Sequence, residues 1–204
     1  MNYLAHLYLS GEKEATMVGN FIGDYVKGKS YQEFPDDIQK GILLHRQIDS
    51  FTDRHPKFRE AKKLLNGDYG LYAGIVIDLF YDHFLAKNWH RYSAYSLREF
   101  AKYSHAVLLS HFRFLPKRVQ GFLPFLIQNR RLESYAETDG IQNSLEIMSR
   151  YTSLPENSKK AISIMKTHTL FFEKNFEAFM CETINFVSTE FEVEIKKPDK
   201  TTRS

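Results

Sequence analysis

Apolar residues recur along this chain at intervals of three and four, and no stretch sustains the alternation of a half-buried strand. The pattern predicts helices from end to end. Residues 2–10 read as helix or a short strand; Leu4, Ala5 and Leu7 favour helix, and Gly11 breaks it. Residues 15–27 read as a helix that contains Gly19 and Gly23 and stops at Gly28. Each internal glycine costs about 1 kcal/mol relative to Ala, so close packing or the approach of a ligand has to require them. A polar loop, 29–36, leads through Pro35 into a helix that runs to about Asp53 and meets Pro56. Residues 57–65 form a short basic amphipathic helix, 66–70 a turn cluster, and 71–90 a long, mostly apolar helix. Another helix covers 96–113, and Pro116 and Pro124 punctuate the next segment. From 125 to 151 the spacing is again helical, with Leu132, Tyr135, Ile141, Leu145 and Met148 inward and Gly140 a point where it can split. One last helix is expected over 158–189, carrying Ile162, Met165, Phe172, Phe176, Phe179 and Ile184. The expectation is an all-α, single-domain helical bundle over 1–189, with a charged, frayed tail over 190–204.

Composition adds little beyond scale. With 204 residues there is enough chain for one sizeable core, built from rings as much as aliphatics given 17 Phe and 12 Tyr. A net charge of +3 is too weak to argue for nucleic acid, although local basic clusters can still dock an acidic partner. The single Cys181 excludes an intrachain disulfide and fits a reducing, cytoplasmic setting. No apolar run reaches membrane-spanning length. The opening MNYLAHLYLS is short, lacks a basic leader and is not read as a signal peptide.

Chemistry enters on two of the helices. In GILLHRQIDSFTDRHP, residues 41–56, His45, Asp49 and Asp53 recur at i, i+4, i+8 and share one face among apolar neighbours. In IVIDLFYDHFL, residues 75–85, Asp78 and Asp82 sit one turn apart with His83 adjoining. Buried carboxylates are costly unless a cation or donors compensate them, so two such helices suggest a shared polar centre. His6, Asn20 and Asp24 are further candidates, each with a bland alternative: a satisfied core histidine, a packing or cap residue. Imidazole and carboxylate ligands together suit Mn²⁺, Fe²⁺, Mg²⁺ or Zn²⁺. Lys27, Arg46 and Arg54 lie beside these groups and can hold a phosphate. The residues read as a metal-assisted phosphoester hydrolase.

Taken in order, MNYLAHLYLS, GNFIGDYVKG, GILLHRQIDSFTDRHP and DLFYDHFLAKNW resemble the acyl carrier protein phosphodiesterase family, and DGIQNSLEIMSR is similar to its C-terminal half. The resemblance covers residues 1–150 well and the last helix loosely. It implies an all-helical, HD-domain-like fold and Mn²⁺-dependent hydrolysis of the phosphodiester joining 4′-phosphopantetheine to holo-acyl carrier protein, a reaction of fatty acid biosynthesis. It implies an acidic carrier protein as partner, and that Asp24 is essential. It matches Asp24, His45, Asp49, Asp78, Asp82 and His83 to the family's blocks; with His6 these are the expected metal ligands, and Arg46 or Lys27 is expected to balance phosphoryl charge. The adjacent His-Asp pair of HD proteins is absent; the order here is Asp82–His83. Two other readings stay open: an HD-like phosphohydrolase of a small nucleotide, and a non-catalytic helical binding module. For docking, Lys57, Arg59, Lys62 and Lys63 are preferred over the clusters at Arg113, Lys117 and Arg118 and at Arg130 and Arg131.

Overall fold

The computed structural model describes residues 1–196, and among them no strand occurs. The chain runs α1 (Tyr3–Tyr8), α2 (Glu14–Ile22), α3 (Asp36–Arg54), α4 (Pro56–Lys63), the single turn α5 (Asn66–Tyr69) and α6 (Ala73–Lys87). It continues with α7 (Leu97–Ser110), α8 (Lys117–Gln128), the single turn α9 (Arg131–Ser134), α10 (Thr138–Tyr151), α11 (Ser158–Thr167) and α12 (Thr169–Phe191). The all-helical expectation holds. The first segment is helix rather than strand, because Asn2 caps it by accepting from the Tyr3 N–H.

The centre of the bundle is α6. It is apolar nearly all round: Val76, Ile77, Leu79, Phe80, Tyr81 and Leu85 are fully buried. Packed around it are α1, α4, α10 and α12. The closest helix pair is α2 with α3, and the glycines explain it. A Cβ on Gly19 would stand 2.1 Å from the Ile38 carbonyl, and one on Gly41 would stand 2.3 Å from the Thr16 carbonyl. Both positions exclude any side chain, and the two backbones touch there.

Three of these expectations differ. The segment 125–151 divides into the end of α8, then α9 and α10, because Arg130 adopts a left-handed backbone with φ of 48° and no helix continues through it. Pro124 does not punctuate; it lies inside α8 on the exposed side, where water can bond the carbonyl it leaves free. The last helix breaks at His168, with φ −112° and ψ 27°, so that α11 packs on α10 while α12 turns back along α3, α4 and α6. Of the expected tail 190–204, residues 197–204 lie outside the described residues. Before them, Val193 is buried and Lys196 pairs with Glu12 at 2.8 Å. Among the described residues no helix is long and apolar enough to cross a membrane.

Candidate metal centre

The helical spacing in α3 brings His45 and Asp49 together: His45 Nε2 stands 3.1 Å from Asp49 Oδ2. The remaining groups arrive from α1 and α2. His6, on α1, places its Nε2 3.2 Å from Asp49 Oδ1, and its ring stacks on His45 with centroids 4.0 Å apart. Asp24 sits in a tight turn, Gly23–Tyr25, directly after α2. Its Oδ1 lies 3.4 Å from His45 Nε2. Gly23 makes that approach possible, since a Cβ there would stand 2.2 Å from the His45 ring. The two expected glycines therefore serve different ends, Gly19 helix packing and Gly23 the site.

Asn20 fixes both imidazoles. Its side-chain oxygen accepts from His6 Nδ1–H at 2.8 Å, and its backbone carbonyl accepts from His45 Nδ1–H at 2.7 Å. The Asn20 amide in turn donates to the His6 carbonyl and to Ser10 Oγ. With both Nδ1 atoms used as donors, both Nε2 atoms face Asp49 from buried positions. This is how a protein sets the tautomer of metal-binding histidines. One ligand atom from each of His6, His45 and Asp49 lies within 4.8 Å of the others, and Asp24 flanks them as an exposed carboxylate. The donor set, two neutral imidazoles and a carboxylate, fits a divalent ion.

Electrostatics point the same way. Burial and the charge of His45 push His6 down to about 4. Burial also opposes charge on His45, but hydrogen bonds to Asp24 and Asp49 outweigh it and raise the imidazolium to about 9. Burial likewise opposes ionisation of Asp49, yet the two histidines hold its carboxyl far below the usual range. The hydrogen bond to His45 lowers Asp24. The carboxylates thus favour positive charge between them, part of which the Met1 ammonium supplies at 3.5 Å from Asp49.

Three expected ligands sit elsewhere. Asp82 is wholly buried, and its oxygens accept from the Leu4 N–H at 2.9 Å and the Ala5 N–H at 3.2 Å. It caps α1, the helix that carries His6, and its two oxygens face the Leu4 and Ala5 N–H groups and not the His6, His45 and Asp49 cluster. His83 donates from Nδ1 to the Tyr135 carbonyl at 2.8 Å and ties α6 to the chain after α9. Asp78 stands beside the centre: its Oδ1 is 3.0 Å from the Met1 amine, which is also 3.5 Å from Asp49. Of the basic groups, Arg46 donates to the Val26 carbonyl at 2.9 Å and lies over the Tyr31 ring, while Lys27 is exposed. Both line a smaller depression that also includes Asp24, His45 and Asp49.

In front of the cluster lies a cavity of about 1120 Å³. His6, Asp24, His45, Asp49 and Asp78 line one end, and Phe122, Leu126, Ile147 and Met148 form apolar walls. Arg118, Arg131 and Arg150 also face it, whereas none of Lys57, Arg59, Lys62 and Lys63 does.

A family profile described as acyl carrier protein phosphodiesterase matches residues 1–183. The chain belongs to the acyl carrier protein phosphodiesterase family. Two relatives bear that name at similar distance: one from Yersinia pestis, 35% identical over 149 residues, 72% of this chain and 77% of its own; and one from Enterobacter sp. (strain 638), 33% identical over 180 residues, 88% of this chain and 93% of its own. No solved structure matches the chain. Within the acyl carrier protein phosphodiesterase family match fall every residue of the cluster and of the cavity wall named above. Sequence reasoning named Asn20 as a candidate but not its orienting role, and missed Arg131 as a cavity residue. Asn20 lies one turn before Asp24, which is the only signal it offered.

Proposed function

We propose that this protein is a metal-dependent phosphodiesterase that hydrolyses holo-acyl carrier protein, releasing 4′-phosphopantetheine and apo-acyl carrier protein. One observation carries the reading. Two buried imidazoles, oriented by Asn20, turn their Nε2 atoms onto a shared carboxylate at the end of a cavity roomy enough for a flexible arm. The family membership supplies the substrate class.

His6, His45 and Asp49 hold the ion, and Mn²⁺ is the one we assign, with Mg²⁺ or Fe²⁺ compatible with the same donors. What a divalent ion supplies at such a site is Lewis acidity toward water and phosphoryl oxygens. Asp24, on the exposed side of His45, orients the attacking water by accepting its hydrogen bond. Asn20 keeps both histidines in the tautomer that leaves Nε2 available. The walls formed by Phe122, Leu126, Ile147 and Met148 receive the pantetheine arm and exclude bulk water. We place the reaction in the cytoplasm, in fatty acid biosynthesis.

The test is direct. Purified protein is incubated with holo-acyl carrier protein and Mn²⁺, and the carrier is weighed by mass spectrometry. The expected result is loss of the 4′-phosphopantetheine mass, abolished by EDTA and restored by added Mn²⁺. An intact carrier under all conditions, with turnover of a free nucleotide, would replace this reading with a nucleotide phosphohydrolase.

A further inference from the structure

Arg131 is the one buried guanidinium among the described residues, 8% exposed, and no carboxylate among those residues pairs with it. A buried charge without a counter-ion is costly. Asp82 has two backbone N–H groups, and His45 has Asp24 and Asp49. Arg131 has a hydroxyl and an aromatic ring: its Nη2 donates to Ser144 Oγ at 2.6 Å, Ser144 donates onward to the Gly140 carbonyl at 2.7 Å, and the guanidinium lies over the Phe125 ring, 5.9 Å from its centroid.

That arrangement is built, not incidental. Arg130 takes its left-handed backbone immediately before α9, which sets where Arg131 leaves the chain. Gly140 lets α10 close onto α9, since a Cβ there would stand 1.9 Å from the Ser134 carbonyl. Ser144 lies one turn later, on the face that meets the guanidinium. Both Arg131 and Ser144 line the cavity that holds the His6, His45 and Asp49 cluster, with Arg118 and Arg150 on the same lining. Arg46 is engaged with Val26 and Tyr31, and with Lys27 it lines the smaller depression shared with Asp24, His45 and Asp49, not this cavity.

We propose that Arg131, tethered by Ser144, is the anion-binding group of the cavity and takes the phosphate oxygens of the substrate. A planar guanidinium with one donor anchored presents its other donors to phosphate oxygens in a fixed direction. Its burial selects a slender phosphate-bearing arm over an acidic side chain on a protein surface. The identity of the ligand rests on the phosphodiesterase reading; the existence of an anion subsite does not.

The experiment uses the full chain, with inorganic phosphate and 4′-phosphopantetheine as probes. Melting temperature and calorimetric affinity are measured for wild type, Arg131→Gln, Arg131→Lys and Ser144→Ala. Phosphate should raise the melting temperature of the wild type, because it binds only the folded state. Arg131→Gln should melt higher than wild type without phosphate, since an uncompensated charge is gone, and should gain nothing from phosphate. Its affinity for 4′-phosphopantetheine should fall by about tenfold or more, the cost of a lost charge-assisted contact. Arg131→Lys and Ser144→Ala should fall between, which keeps the test decisive if the Gln variant does not fold. A purely structural Arg131 predicts the reverse: a lower melting temperature in Arg131→Gln with the phosphate effect intact, and that result overturns the proposal. Wild-type carrier hydrolysis by Arg131→Gln would overturn it while leaving the phosphodiesterase reading standing. Phosphate binding that depends on Arg131, without carrier hydrolysis, would keep the subsite and remove the substrate.

Discussion

At the scale of residues, the site depends on groups whose chemistry cannot be exchanged for similar shape. Asp24→Asn is nearly isosteric and leaves Gly23 and the turn after α2 unaltered, so the helical content should not change. The lost negative charge should abolish hydrolysis, and circular dichroism with turnover on one preparation checks both. Wild-type turnover in the variant would make Asp24 structural. His83 carries a different prediction. Burial pushes its imidazolium down, with the hydrogen bond to the Tyr135 carbonyl working against that shift. A histidine whose folded pKa is depressed contributes stability that is fully present above its unfolded value, about 6.5, and is lost as pH falls below it. Melting temperature should therefore drop between about pH 7.5 and about pH 5, and drop less in His83→Gln. Equal acid sensitivity in the two proteins would show that His83 does not set it.

At the scale of elements, one carboxylate joins the core to the site. Asp82, at the middle of α6, accepts from the first N–H groups of α1, and α1 carries His6 into the metal centre. Asp82→Ala should cost at least the about 1 kcal/mol typical of a lost helix cap, and more because two buried N–H groups lose their acceptor. It should also weaken Mn²⁺ binding, measured by calorimetry, through displacement of His6. Unchanged Mn²⁺ affinity alongside a lower melting temperature would confine Asp82 to stability. The spacing of Asp78 and Asp82 matched a ligand pair on sequence grounds. The structure turns Asp82 to the α1 N–H groups, since a helix N-terminus also attracts a carboxylate and backbone N–H groups leave no mark in a side-chain pattern.

At the scale of the whole molecule, the net charge of +3 leaves docking of an acidic partner to local clusters. The cluster at 57–63 is nearest in sequence to His45, but α4 packs Phe58 and Ala61 inward and leaves Arg59 and Lys63 exposed away from the cavity lining; Lys57 pairs with Glu60 and Lys62 lies near the Phe58 ring. The cavity's own basic rim is Arg118 and Arg150, both exposed. Charge reversal at Arg118 and Arg150 should raise KM for the carrier protein and flatten its salt dependence, with a small phosphodiester nearly unaffected. The same reversal at Lys62 and Lys63 should do neither. Steady-state kinetics at low and high salt separate the two, and a larger effect from Lys62 and Lys63 would return the docking face to α4.

The sequence by itself determined that this chain is helical, because three-to-four spacing without alternation leaves no face for a sheet. It also determined that His45 and Asp49 meet, since i, i+4 on one helix is a local distance that no tertiary contact has to supply. Gly19 and Gly23 announced close approaches without saying to what. Only the tertiary structure decided the rest: that Gly19 meets α3 and Gly23 meets His45, that Asn20 fixes both imidazoles, and that Asp82 faces α1 instead of the cluster. It also buried Arg131, alone among the described arginines and lysines, in the cavity wall. The physical reason is common to all of these. Each role is set by which backbone or side chain another element brings to within hydrogen-bonding distance, and that is fixed by helix packing across tens of residues, where local periodicity carries no information.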